Sequence, residues 1–276
     1  DTPKYGFFVF FIIIISTLLI NIIYFNELQF YIFIIYLVSF LIIGFLDDLY
    51  DLKVWKRLIL AIIVVSLFFY INHDNYYVSK NYYNIINYLL LIFFSLGFIH
   101  LVNITDGLNG LVSSLFTYSC VYYFFKGFND YEAFYQLFLI TNISIFFIFL
   151  IPNFLGLCFL GNTGAYLVAI ITSILYIELY KISVLEYSDI LLIYLIPLVD
   201  GVRVTLNRIR KKISPFKGDL SHIHHIVRND KLNTIIYFLL VFLPSFINFF
   251  LRDYTVLISI ISLLLFLSFF LYVRKI

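Results

Sequence analysis

The chain contains no methionine, only two cysteines, and few charged residues: 12% of its length against 63% hydrophobic residues. So little charge excludes a water-exposed globular surface, and a mean hydropathy of +1.02 agrees. Cys120 falls inside an apolar run and Cys158 in a connection expected to face a reducing compartment, so a disulfide between them is not expected. The first residue is Asp1, which together with the missing methionine leads us to expect a lost N-terminal piece, and there is no signal peptide to read. No repeat or low-complexity linker stands out. The abundance of Phe, Ile, Tyr, Asn and Lys reads as compositional drift and carries no functional signal.

What the chain does have is apolar runs. Measured against the roughly 20 residues needed to span a bilayer, they give ten candidates, about 6–25, 28–46, 58–71, 85–102, 108–125, 133–151, 164–180, 190–204, 234–251 and 254–273. The third and eighth are short. Because the runs are continuous rather than alternating, they predict helices and not barrel strands. The expected architecture is an all-α, polytopic membrane bundle of about ten spans forming a single domain over residues 1–276, with no room for a soluble domain between spans. With the N-terminus inside, fourteen Lys and Arg fall on one side and four on the other, summing to the eighteen present. That bias predicts which connections are cytoplasmic.

Four polar clusters fall in those connections. Asp47-Asp48-x-x-Asp51 follows a span; if the helix continues through it, three carboxylates crowd one face, which a cation or proton would relieve. The alternative is a solvated helix end balanced by the bases that follow. Asn103-x-x-Asp106-Gly107-x-Asn109-Gly110 combines oxygen ligands suited to magnesium with glycines that admit a phosphate or sugar, although such a sequence is also an ordinary turn signal. Gly161-Asn162-Thr163-Gly164 opens a span, offering free N–H groups to an anion or a surface for close helix packing. His222-x-His224-His225 follows a basic stretch that includes Arg203, Arg208, Arg210, Lys211 and Lys212. The bases fit an orientation signal or an anionic-lipid contact. The histidines suit zinc or a diphosphate.

Taken in order, these residues resemble the polyprenyl-phosphate N-acetylhexosamine-1-phosphate transferases, the family with MraY and WecA branches. The resemblance runs over nearly the whole chain, through DD-x-x-D, N-x-x-DG-x-NGL, the GNTGA stretch, and PLVD followed by SPF-x-x-D-x-x-HIHH. Asp51 and the interrupted histidine run point to the WecA-like side. Thr2-Pro3-Lys4-Tyr5-Gly6 resembles the end of the family's first cytoplasmic loop, which implies an eleventh helix upstream.

The resemblance implies transfer of a sugar-1-phosphate from UDP-N-acetylglucosamine or a related UDP-sugar to undecaprenyl or another polyprenyl phosphate. UMP is released, and a lipid-linked envelope glycan such as O-antigen is begun. It implies Asp47 and Asp48 as the catalytic acids and Asn103, Asp106 and Asn162 near a Mg2+ or Mn2+ ion. Asp51, Asn109, Arg208, His222, His224 and His225 are then expected around the substrates. Expected partners are the UDP-sugar, the lipid, the membrane and a second copy of the chain as a homodimer, with no nucleic acid; the expected location is the bacterial inner membrane, with the site facing the cytoplasm. One departure stands out. Where the family carries Asp and Ser, this chain has Asn162 and Ala165, which predicts weaker metal affinity, a specialised member or a catalytically silent scaffold. A multi-span transporter or flippase is the remaining alternative; its mark is ionisable groups near span midplanes, for which Glu178 is the main candidate.

Overall fold

The computed structural model describes residues 4–73, 83–127, 133–214 and 221–274. Expectations placed on Thr2, Pro3, Pro215, Phe216, Asp219 and the bases Lys80, Lys217 and Lys275 lie outside the described residues. Among those described, the regular structure is helical apart from one parallel bridge between Lys4 and Phe159. The long helices are α1 (Gly6–Ile20, extended by a π turn over Asn21–Phe25), α2 (Leu28–Tyr50), α3 (Val54–Ile71), α4 (Tyr83–Thr105), α5 (Leu111–Gly127), α6 (Ala133–Phe154), α7 (Gly161–Lys181), α8 (Tyr187–Arg210), α10 (Lys231–Phe250) and α11 (Thr255–Val273). A single-turn α9 (Ile223–Val227) precedes α10.

Helices are what a chain this apolar must form in a bilayer, where each backbone polar group needs a partner within its own segment. Eight of the long helices are apolar and long enough to cross a membrane. The outer surface fits that setting: Phe93 and Ile148 are each 77% exposed and Val256 73%, on faces where water would penalise them. The two short expected spans are longer than the apolar runs suggest. α3 begins at Val54 and α8 runs from Tyr187 to Arg210, because their charged and polar ends remain helical beyond the apolar stretch.

α7 lies at the centre. It is 89% buried along its apolar window, against 17% for α4, and packs against α1, α2, α4 and α5. Small residues make this possible. A Cβ at Gly44 of α2 would overlap the Thr163 backbone, and one at Gly6 of α1 would overlap the Leu160 carbonyl. The start of α7 is thereby held against the ends of α1 and α2, and this is where the polar clusters meet.

Candidate active site

The acidic cluster does not stay on one helical face. α2 stops at Tyr50, and Asp51 takes a left-handed conformation (φ 46°) as its C-cap, donating its N–H to the Asp47 carbonyl at 3.0 Å. The three carboxylates therefore diverge, which corrects the expected crowding. Asp47 turns inward, accepting from the Leu52 N–H at 2.9 Å, Arg57 Nη1 at 3.0 Å and the Tyr166 hydroxyl at 2.8 Å. Asp48 faces the start of α7, where it accepts from the N–H groups of Asn162 and Thr163 at 3.0 Å, Thr163 Oγ1 at 2.7 Å and Lys4 Nζ at 3.1 Å. Asp51 is exposed and is not among the residues lining the cavity described next.

The helix N-terminus expected to receive an anion thus already holds one, supplied by the chain itself. Gly161 permits this: its φ of +68° is a conformation that side chains rarely adopt, and a Cβ there would sit 2.9 Å from Asp48 Oδ2. The Asn162 side chain takes no part in the contact and does not line the cavity; only its backbone N–H reaches Asp48.

A cavity of about 380 Å³ opens between α2, α3, α4 and α7. One wall is apolar, built from Phe40, Ile43, Leu58, Ala61, Leu96 and Ile99; the other end is polar, with Arg57, His100, Asn103, Asp106, Arg208, His222 and His225. Asn103 and Asp106 line it together, from the last turn of α4 and the residue after it. The Asp106 carboxylate opens into this space and accepts no hydrogen bond from the described residues. Surrounding protein raises its pKa to about 7, and the negative charge of Asp48 adds to the shift.

The histidine segment closes the same site. Asp200 of α8 accepts from Arg203 Nε at 3.0 Å and Nη2 at 2.7 Å and from the Ile223 N–H at 3.2 Å, and contacts His222 Nδ1 at 3.0 Å. Asp200, His222 and His224 place potential ligand atoms within 4.8 Å of one another. With Arg203 already on its carboxylate, Asp200 acts as the group that orients His222 rather than as an open metal ligand. The His224 ring stacks on His222 with centroids 5.3 Å apart, and its buried Nε2 has no hydrogen-bond partner among the described residues. Burial pushes the His224 pKa down to about 3, helped by His225 and His222 and opposed by Asp200.

A Cβ at Gly107 would overlap the His224 ring and come within 2.5 Å of His225 Cε1, so glycine at this position is what lets the second and fourth clusters touch. The following turn is pinned by Asn153, whose Oδ1 accepts from the Gly110 N–H at 3.2 Å and Ser113 Oγ at 2.6 Å. Asn109 faces away from the cavity, into a second groove.

Sequence reasoning missed Lys4, Arg57, His100, Tyr166 and Asp200 as site residues. Four of them carried a usable signal. His100 precedes Asn103 by three residues on α4, and Tyr166 follows Thr163 by three on α7, so each shares a helical stripe with a flagged residue. Lys4 and Asp200 stand inside the TPKYG and PLVD stretches quoted for the resemblance, without having been singled out there, whereas Arg57 is recruited by a contact that spacing along the chain does not reveal.

Fold and site together define a polytopic helical membrane protein whose acids, amides, histidines and arginines converge at one end of the bundle. The model of Glycosyl transferase family 4 matches residues 29–180, from α2 to the end of α7, and the chain belongs to this family. It is 27% identical over 207 residues to the undecaprenyl-phosphate alpha-N-acetylglucosaminyl 1-phosphate transferase of Escherichia coli O157:H7, covering 67% of this chain and 54% of that one. Proteins of the same name from Escherichia coli K12 and Shigella flexneri are 27% identical over 203 residues, with the same coverage. The chain spans about half the length of the curated relatives it matches.

Proposed function

We propose that this protein transfers an N-acetylhexosamine-1-phosphate from a UDP-sugar, of the UDP-N-acetylglucosamine type, to undecaprenyl or another polyprenyl phosphate at the cytoplasmic face of the bacterial inner membrane. A phosphate oxygen of the lipid attacks the sugar-bearing phosphorus, the diphosphate bond breaks, and UMP leaves. The product is a polyprenyl-diphospho-sugar that begins an envelope glycan. The observation that carries this reading is the convergence of Asp106, unpaired among the described residues, with Arg57, Arg208 and the histidines in one cavity that has an apolar wall.

The cavity suits two anions, one of them attached to a hydrocarbon chain. Arg57, braced by Asp47 and Tyr166, and Arg208 supply the positive potential that draws two phosphates together. Asp47 then acts by positioning Arg57, while Asp48 fixes the start of α7 and sets the negative charge beside Asp106. His222, aligned by Asp200, and His225 line the sugar-nucleotide end. The apolar wall takes the first isoprene units of the acceptor.

The donor set fits a hard divalent cation: the Asp106 carboxylate accepts no hydrogen bond from the described residues, and the Asn103 amide lines the same space. Magnesium or manganese held there would neutralise the diphosphate and stabilise the departing UMP. Asn162 brings no charge and its side chain stands outside the cavity, which leaves Asp106 as the one acid among the described residues lining it; this favours a second reading, a catalytically silent scaffold. The transporter reading finds less support, since Glu178 pairs with Lys181 at the end of α7, at 3.2 Å.

The test is transfer of radiolabel from UDP-N-acetylglucosamine to undecaprenyl phosphate in membranes. Wild type should yield lipid-linked label, reduced about a hundredfold by Asp48→Asn and by His224→Ala, because each removes a support that positions the groups lining the cavity. Asp47→Asn should chiefly raise KM, as expected of a group that positions a phosphate-binding arginine. Label unchanged in all three variants would rule out the site, whereas label that appears only after Asn162→Asp, with added magnesium, would establish the scaffold reading.

A further inference from the structure

Gly107 borders two cavities. On the side away from the catalytic cavity lies a groove of about 780 Å³ between the Asp106–Gly110 turn, the end of α6 and the start of α10. Its walls are apolar and aromatic: Phe154 from α6, and Ile235, Phe238 and Phe242 along one face of α10. Ile235 and the neighbouring Leu239 are 57% and 56% exposed, so the groove opens sideways to the hydrocarbon of the bilayer. At its polar end stand Arg228 and Lys231, both exposed. The acid beside Lys231 in sequence, Asp230, is committed to capping α10, accepting from the N–H groups of Leu232 and Asn233 and from Asn233 Nδ2. Neither base forms an ion pair among the described residues.

Apolar walls open to the acyl region, ending in two uncommitted cations at the level of the interface, match an amphiphile with an anionic head. The acceptor lipid does not need this place. If the proposed function holds, its phosphate belongs among Arg57 and Arg208, and the catalytic cavity has its own apolar wall for the tail. We propose that the groove between α6 and α10 binds an anionic bilayer phospholipid, with its phosphate at Arg228 and Lys231 and its chain along Phe238 and Phe242. The occupant touches the turn that carries Asp106. Phe154, which lines the groove, packs so closely on Gly110 that a Cβ there would lie 2.5 Å from its ring. The seat is therefore placed to steady the catalytic loop from behind.

The probe is phosphatidylglycerol, titrated against phosphatidylcholine onto the detergent-purified full chain and read by native mass spectrometry. Wild type should retain phosphatidylglycerol preferentially. Arg228→Gln with Lys231→Gln should weaken that retention roughly thirtyfold, each base at a lipid surface being worth about fivefold. Lys211→Gln with Lys212→Gln, which removes two bases at the end of α8, should leave retention unchanged. Equal loss in both double variants would reduce the effect to general surface charge and overturn the assignment. So would undiminished retention in the Arg228/Lys231 variant, or one-for-one displacement of phosphatidylglycerol by undecaprenyl phosphate. Retention is read on the protein itself, so it is scored whether or not the chain transfers sugar phosphate.

Discussion

Two carboxylates at opposite ends of the bundle have opposite surroundings. Asp189, at the start of α8, is fully enclosed and accepts from the Tyr122 hydroxyl at 2.6 Å, Lys126 Nζ at 3.4 Å, Asn248 Nδ2 at 3.4 Å, Arg252 Nη2 at 3.1 Å and the Glu186 N–H at 3.0 Å. Asp106, at the other end, accepts from none of the described residues. A carboxylate this well satisfied joins α5, α8 and α10; one left open, with its proton held to about pH 7, is available to bind something else. Ionisable groups in a membrane protein can therefore be sorted by what already fills their valences, and the sorting separates brace from site.

The contrast is sharpest in substitutions that keep side-chain shape. If Asp106 holds the proposed ion, Asp106→Asn should lower transfer about a thousandfold, while the thermal midpoint holds or rises because a disfavoured ionisation has gone. A marked loss of stability would move Asp106 into the same class as Asp189. Asp189→Asn should do the reverse: it leaves Lys126 without its partner and destabilises the bundle by about 3 kcal/mol, seen as a lower melting temperature in detergent, with activity per folded molecule within about twofold of wild type. Activity lost before stability would break the comparison from the other side.

Smaller effects probe how the site end is assembled. Gly107→Ala forces the His224 and His225 rings to shift and should cost about 1–3 kcal/mol of stability, with transfer down at least about tenfold. The smallest expected effect concerns acid. An unfolded histidine takes up its proton below about pH 6.5, whereas folded His224 resists until about 3. Its contribution is thus complete above the unfolded value and declines as pH falls toward the folded one. Melting temperature should fall between about pH 7 and 5, and His224→Gln should flatten that slope.

The helices were legible because long apolar runs admit one solution in a bilayer, and all ten long helices coincide with expected runs; of the ten expected spans, eight are long and apolar enough to cross a membrane. The motifs were legible as a set because Asn103, Asp106 and the histidines keep their chemistry wherever they point. Direction was not. Asp47 and Asp48 are adjacent in sequence, yet one reaches Arg57 and Tyr166 and the other the start of α7, because successive side chains on α2 point about 100° apart, while the left-handed cap takes Asp51 off the helix altogether. Tyr166 lies 119 residues from the Asp47 it binds, and no local period encodes a pairing of that separation. Asn162 was noticed for its side chain, whereas its backbone makes the contact.

The grip of α7 on Asp48 has one more consequence. Two amide hydrogens and a hydroxyl clamp that carboxylate to the most sheltered helix of the bundle, so the junction of α2 and α7, from which Tyr166 reaches the cavity, is tied down before anything enters. Whatever departs leaves behind a mould rather than a void, and a newcomer need only settle into it.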